Sequence, residues 1–344
     1  AAGRGRGVRK VPKGFERGLV EGIPTTMKAL MLKEFSDDLS GVELQEIKTP
    51  SPAKGEVLVR VLASSVNPID FKGMKGYLQN QFPIPSFPAL TGFDVAGVVV
   101  AVGDGVTRLQ VGNAVWASLP TQQGGKPLVM GAYAQYAVIP EAKVGLAPSN
   151  LNPLELASMP VVAITGLQAL QSLGVKQGDK VLVVGGSGGT GSCAIQIAKR
   201  LGAHVTTTCS KKNMDFCKSL GADECIDYHE HWEDQATDVD GVYDCIGETG
   251  ICSKSNKVLK DGGKFVSIAA WADFFQHKWE RGVSGTMLQM DSTNAKTLET
   301  LQDMFENGEI KAATTKVFKL ENIVDALKEG AKGHTVGKIV IEID

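Results

Sequence analysis

The sequence predicts an α/β protein of two lobes, a doubly wound parallel sheet joined to a partly open β-barrel. Three observations predict it. A β-branched apolar run, Lys180 to Val184, leads straight into a glycine cluster, and a helical pattern follows with Ala194, Ile195, Ile197, Ala198 and Leu201 as its apolar positions. Strand-like and helical segments then alternate as far as Ile268, the pattern of a parallel sheet with crossover helices. Before Leu151 the chain reads instead as short β-runs punctuated by proline and glycine. With 344 residues there is room for two domains, each with its own core.

Taken in order, residues 1–26 form a basic extension in which Arg4, Arg6, Arg9, Lys10, Lys13 and Arg17 face only Glu16 and Glu21. It is glycine-rich and poor in apolar periodicity. It is therefore expected to be disordered or laid along a partner such as an acidic protein or membrane surface, an inert tail being the alternative. The chain opens on Ala1 rather than Met, which suits a processed organellar precursor. Met27-Lys-Ala-Leu-Met31 begins the first lobe. Val57–Leu62 and Val95–Val102 are strands, with turns at Gly103-Asp-Gly105 and Val111-Gly-Asn113. Pro153 to Leu173 is helical. Strands are expected at Lys180–Val184, His204–Cys209, Cys225–Asp227, Val242–Ile246 and Lys264–Ile268. A helix around Leu298–Asn307 leaves the sheet. Thr315–Leu320 is extended, Glu321–Gly330 helical and Lys338–Ile343 a final strand, and this tail is expected to return to the first lobe.

Gly186, Gly188 and Gly191 fit G-x-G-x-x-G in a strand–turn–helix context. The first glycine allows a tight turn, the second lets backbone approach a pyrophosphate, and the third lets helix and strand pack closely. Ser187, Gly189 and Thr190 complete the loop. Free amides and the positive end of a helix beginning near Ser192 then face phosphates. No Gly-Lys-Ser/Thr follows, which disfavours a nucleoside-triphosphate loop. A dinucleotide without a 2′-phosphate would want an acidic residue after the second strand. This chain has Ser210-Lys211-Lys212, a hydroxyl and two cations suited to the 2′-phosphate of NADPH. Ligands sit at the carboxyl ends of parallel strands, so Ile246 and Gly247 are expected beside the adenine ribose. Ser267, Ile268 and Ala269 are expected beside the nicotinamide.

Composition narrows the function classes. Hydrophobic residues make up 43% of the chain, and no run approaches a membrane span. The formal net charge of −2 gives nucleic-acid binding no global electrostatic support. The six cysteines, Cys193, Cys209, Cys217, Cys225, Cys245 and Cys252, form no C-x-x-C. They read as small apolar residues in a reducing compartment, with a disulfide left open. No histidine and no cysteine precedes Cys193, so a zinc site in the first lobe would have carboxylates alone, a poor set for zinc. His229 and His231 could chelate but read as a solvated loop. No metal site is expected.

Four segments resemble the medium-chain dehydrogenase/reductase superfamily in its zinc-independent quinone oxidoreductase branch. They are Ser64–Lys72, Pro88–Val98, Val161–Leu170 and Gly333–Val340. Where zinc alcohol dehydrogenases carry Gly-His-Glu, this chain has Gly92-Phe93-Asp94. Asn67-Pro68-x-Asp70-x-Lys72 is similar to plant and algal enone and quinone reductases of organelles. The resemblance implies a GroES-like catalytic domain over residues 27–151 and 291–344 and a Rossmann domain over 152–290. It implies NADPH-dependent reduction of quinones or α,β-unsaturated carbonyls in the cleft between them. It implies that Asn67 and Lys72 hydrogen-bond the substrate carbonyl and that Asp70 orients Lys72 or the nicotinamide ribose. Tyr77 is a candidate proton donor, with solvent or a plain surface role as alternatives. Thr165 is expected at the carboxamide or a phosphate, and Tyr228 near the adenosine phosphate. A homodimer through the Rossmann domain is implied, and the aromatic stretch Ala270–Met290 is expected to border the substrate pocket or that interface. A chloroplast or mitochondrial location follows from the same resemblance. The competing reading is a low-turnover nucleotide-binding subunit of an organellar assembly, anchored by its basic arm.

Overall fold

The computed structural model describes residues 11–344 except 20, 82, 85, 120–121, 124–125, 128–130 and 293–294. Residues 1–10 of the basic extension thus lie outside the described residues. Among the described residues, one unit is a six-stranded parallel sheet. Its order across the sheet is Glu224–Asp227, His204–Cys209, Lys180–Val184, Val239–Asp244, Leu259–Ser267 and Ser284–Met287. The order reverses beside Lys180–Val184, which places the glycine cluster at the switch point of a doubly wound sheet. The central strands are buried on both faces and accordingly read as continuous Val/Leu/Thr runs. Helix Pro160–Leu173 packs on helix Gly189–Arg200 against this sheet.

The other unit is a barrel-like, mainly antiparallel assembly, in which Thr314–Lys319 and Lys338–Glu342 pair in parallel. Strands Gly145–Leu146, Ala114–Ser118, Asp94–Val102, Glu56–Ser65, Lys338–Glu342 and Thr314–Lys319 run side by side, and Tyr136–Pro140 also pairs with Glu56–Ser65. Val42–Lys48, Thr26–Leu32 and Ala89–Leu90 make a smaller sheet. The C-terminal tail returns to this unit as expected, because Lys338–Glu342 is paired with Glu56–Ser65.

Several boundaries differ from the sequence expectation. The helical stretch 153–173 is two helices, Pro153–Ala157 and Pro160–Leu173, because Pro160 cannot continue a helix but can start one. The first of these packs on barrel strands, although the sequence assigns it to the nucleotide-binding unit. The nucleotide-loop helix begins at Gly189, not near Ser192. A sixth strand, Ser284–Met287, lies in the aromatic stretch; Phe274 and Trp279 pack on Phe265 beneath that edge, and Phe275 stays 71% exposed. All six cysteines are free.

The larger correction concerns residues 11–19, expected to be disordered or on a partner. They pack on the chain itself. Phe15 is completely buried among Leu62, Val98 and Leu156, and Gly18 seats against Val98 at a distance no side chain could occupy. Arg17 donates to Glu342 at 2.9 Å and to Leu62 O at 3.3 Å, while Arg60 donates to Arg17 O at 3.0 Å. Composition misleads here because one aromatic anchor outweighs a basic, glycine-rich flank: burying a phenylalanine stabilises by about 1.5–3 kcal/mol. Phe15→Ala is expected to lower unfolding stability by about 3–5 kcal/mol. An unchanged denaturant midpoint would mean that this segment is peripheral.

Candidate active site

The glycine loop follows strand Lys180–Val184 as a compact turn. The left-handed residue is Gly185 (φ 90°), one position before the motif's first glycine. The motif glycines serve close approach. A Cβ added at Gly186 would lie 2.0 Å from Thr207 Oγ1, and one at Gly191 would lie 2.2 Å from Gly185 O. At Gly188 the nearest atom to such a Cβ is 3.6 Å away, so this position is open to an incoming group. Gly188 caps helix Gly189–Arg200, whose first-turn amides have no intrahelical partners. The loop is pinned to the second strand by Gly186 N donating to Thr208 O at 2.9 Å and Gly185 N donating to Thr208 Oγ1 at 3.0 Å.

That second strand ends at the predicted phosphate-binding turn. Ser210 is buried and its hydroxyl has no partner, whereas Lys211 and Lys212 are exposed. Asn213 Nδ2 donates to Ser187 Oγ at 3.3 Å, joining this turn to the glycine loop. Tyr228 is 47% exposed at the end of the neighbouring strand, and its amide donates to Cys209 O at 3.1 Å. A buried hydroxyl with no partner among the described residues, two exposed lysines and an open, glycine-lined amide cradle fit a nicotinamide dinucleotide.

The remaining cofactor candidates are organised by Asp244. This buried carboxylate accepts from Ser267 Oγ at 2.6 Å, Ile246 N at 3.0 Å and Gly247 N at 3.0 Å. Ser267 Oγ in turn accepts from Ala269 N at 3.0 Å and Ala270 N at 2.9 Å. Ser267 is wholly buried and committed to this network, so it shapes the loop rather than lining the nicotinamide as expected. Ile268 N donates to Asp244 O at 3.2 Å, and a Cβ on Gly247 would lie 2.4 Å from Ala269 O, so the two strand-end loops are held face to face. Ile246 is 57% exposed and reaches over Gly185. Thr165 is buried within helix Pro160–Leu173.

The two units meet at the glycine loop. Gly337 N donates to Ser187 O at 2.8 Å, and Gly188 and Gly337 form a parallel bridge. Next in sequence, Lys338 runs its stem past Gly189, where an added Cβ would be 2.7 Å from Lys338 Cδ. Its ammonium donates to Asn67 Oδ1 at 2.6 Å and to Val66 O at 2.8 Å. It also lies 3.8 Å from Asp94 Oδ2. Asp94 is fully buried and accepts from Ser65 Oγ at 2.6 Å, Asn67 Nδ2 at 2.8 Å and Val161 N at 2.8 Å, the last in the first turn of helix Pro160–Leu173. Burial raises the Asp94 carboxyl and lowers the Lys338 ammonium, and each charge offsets the shift of the other. The Lys338 ammonium and the three donors on the Asp94 oxygens oppose that rise at Asp94.

Asn67 opens helix Pro68–Met74 in a capping box, its amide donating to Asp70 Oδ2 at 2.7 Å. Asp70 is 3% exposed, and among the described residues its Oδ1 has no hydrogen-bond partner. Burial pushes its carboxyl up to about 7; the Asn67 amide and the nearby Tyr133 hydroxyl pull it down, and Asp94 adds to the rise. Among the described residues, the Lys338 ammonium is the cation that pulls both carboxyls back down.

Of the four catalytic candidates, the structure brings Asn67 and Asp70 together and leaves the other two apart from them. Asn67 is 1% exposed with both ends of its amide occupied, so it is not free to bond a substrate carbonyl. Asp70 faces the interior, so it orients neither Lys72 nor a ribose. Lys72 is exposed on the last turn of helix Pro68–Met74. Tyr77 is 61% exposed and donates to Asp37 Oδ1 at 2.8 Å, a bond that raises its phenol. The sequence reading missed Asp94, Ser65, Tyr133 and Lys338. Asp94 stood in the quoted Gly92-Phe93-Asp94 and Lys338 in the quoted closing strand, but nothing in one dimension said that they meet.

The Asp70 shift has a definite sign. A carboxyl raised above its unfolded value makes the native state hold more protons, so its contribution to stability falls as pH rises from about 4 to about 7. Across that window wild type should lose stability relative to Asp70→Asn, which keeps the capping acceptor without the charge. Denaturant midpoints at pH 5 and pH 8 check this, and a pH-independent difference would refute it.

Comparison with known proteins agrees with this architecture. Residues 53–149 match the family described as alcohol dehydrogenase GroES-like domain, and residues 220–341 match the family described as zinc-binding dehydrogenase. The chain is 32% identical to a 2-methylene-furan-3-one reductase of Solanum lycopersicum over 93% of this chain and 80% of that protein. It is 30% identical to a chloroplastic NADPH-dependent alkenal/one oxidoreductase of Arabidopsis thaliana, with the same coverage of 93% and 80%. The structure of a quinone oxidoreductase from Coxiella burnetii superposes with a TM-score of 0.79 at 31% identity, covering 93% of this chain and 100% of that one. A glycine cradle at the switch point, a barrel lobe clasped to it by its closing strand, and similarity along nearly the whole chain make this protein a member of the medium-chain dehydrogenase/reductase superfamily.

Proposed function

We propose that this chain is an NADPH-dependent reductase of small lipophilic enones or quinones. The observation that carries the reading is the clasp between Gly337 and Ser187. It sets the phosphate cradle directly against the lobe bearing the Asn67–Lys72 helix, so a dinucleotide in the cradle would extend toward that helix. Relatives named as enone, alkenal and quinone reductases over 92–93% of this chain support the substrate class and disfavour the low-turnover assembly subunit.

Bound there, the dinucleotide would supply a hydride to an electron-poor carbon. Gly186, Ser187, Gly188, Gly189, Thr190 and Gly191 would hold the pyrophosphate through backbone amides. Ser210, Lys211 and Lys212 would take the 2′-phosphate, with Tyr228 beside the adenosine. Lys72 would stabilise charge developing on the carbonyl oxygen. Asn67 and Asp70 would act behind it, fixing the start of its helix. Tyr77 is tied to Asp37 at the surface, so solvent is the simpler proton source. Zinc has no ligand set at the position where zinc enzymes carry Gly-His-Glu, since Phe93 replaces the histidine and the Asp94 oxygens are already occupied. The edge strand Ser284–Met287, with Phe275 exposed beside it, is the surface through which a homodimer would form. Chloroplastic and mitochondrial relatives support an organellar location.

Stopped mixing with NADPH and a short enone is expected to give cofactor oxidation that resists chelators; loss on chelation would overturn the metal-free reading. Lys211→Glu with Lys212→Glu should raise the Michaelis constant for NADPH by roughly 10- to 100-fold, the loss of one or two charge-assisted bonds. The constant for NADH should barely change, and equal effects on both would remove the lysines from the 2′-phosphate site.

A further inference from the structure

We propose that Lys338 is a positioning residue for hydride transfer. It ties the glycine loop to the Asn67 loop, so that occupation of the cradle orders the helix that carries Lys72. The inference rests on the reading of the cradle as a dinucleotide site.

Four observations carry it. Lys338 is 5% exposed, and a buried lysine is a costly way to fill space that an aliphatic residue could fill. Its backbone opens the closing strand of the barrel but is held at the cradle: the preceding residue, Gly337, donates to Ser187 O at 2.8 Å, and the Lys338 Cδ packs on Gly189. Its ammonium belongs to the other side, donating to Val66 O at 2.8 Å and Asn67 Oδ1 at 2.6 Å. Those bonds decide which way the Asn67 amide faces, since Oδ1 is taken by Lys338 and Nδ2 by Asp94 at 2.8 Å. A movement of Gly189 as phosphate settles on the helix start is therefore delivered through one side chain to the first turn of helix Pro68–Met74.

The rival explanation is that Lys338 only neutralises Asp94. Removing either partner alone strands a buried charge, so single variants cannot separate the two roles. The double variant Lys338→Met with Asp94→Asn leaves no unpaired charge and still lacks both Nζ bonds. Amide hydrogen exchange of the full chain, with and without NADPH, reads the coupling independently of turnover. In wild type, NADPH should slow exchange at residues 185–192 and also at residues 66–74. In the double variant the thermal midpoint should return toward wild type, and protection at 185–192 should persist. Protection at 66–74 should be lost, and the single-turnover rate with an enone should stay about 100-fold down, the scale of a misplacement near 1 Å. Protection at 66–74 retained in the double variant, or a rate restored along with the midpoint, overturns the proposal and leaves Lys338 a counter-ion. Loss of protection at 185–192 in the variant would make Lys338 a dinucleotide-binding residue instead. Absence of protection at 185–192 in wild type would fail the cradle reading itself, and the positioning role with it.

Discussion

A single buried carboxylate holds the working parts of this protein in register. Asp94 sits on a barrel strand, gathers hydrogen bonds from the end of strand Glu56–Ser65, the Asn67 cap and the first turn of helix Pro160–Leu173, and lies 3.8 Å from the ammonium of Lys338 on the closing strand. A carboxyl group in an apolar interior tolerates no vacant hydrogen-bonding position without a penalty of a few kcal/mol. Each donor is therefore constrained by the others. The barrel, helix Pro68–Met74 and helix Pro160–Leu173 cannot move independently near this point.

Burial and charge in the same cluster explain the behaviour of its second carboxyl. Burial holds the proton on Asp70 into the neutral range, helped by the charge of Asp94, while the Tyr133 hydroxyl, the Asn67 amide and Lys338 oppose it. The capping box works in either state, because Asp70 Oδ2 can accept from the Asn67 amide whether or not Oδ1 carries a proton. The helix bearing Lys72 thus starts from a fixed point, while Lys72 itself stays in solvent reach. Rigid support behind an exposed cation is the arrangement expected where negative charge must be met as it develops.

A similar device organises the far side of the cleft. Asp244 and Ser267 bind the loops that follow two adjacent strands to each other and leave Ile246 to cover Gly185. Both hubs use a buried acid to shape backbone that must itself stay available for a ligand. Residues that touch a ligand and residues that hold those residues are different sets, and one-dimensional patterns report mainly the first.

The sequence by itself determined the parallel sheet, the glycine cradle, the Ser210-Lys211-Lys212 turn and the return of the tail to the barrel. These features are written in local periodicity, in glycine where no Cβ fits, and in charge beside a strand end. It also determined that no histidine or cysteine before Cys193 is there to offer a metal. Only the tertiary structure decided that Phe15 anchors a segment whose composition reads as disordered, that Asn67 and Asp70 face inward, and that Lys338 meets Asn67 across 271 positions of chain. A composition average cannot weigh one buried aromatic ring, and a motif cannot say which way its side chains turn. That depends on which distant donors reach the same buried oxygen, a fact of packing in three dimensions.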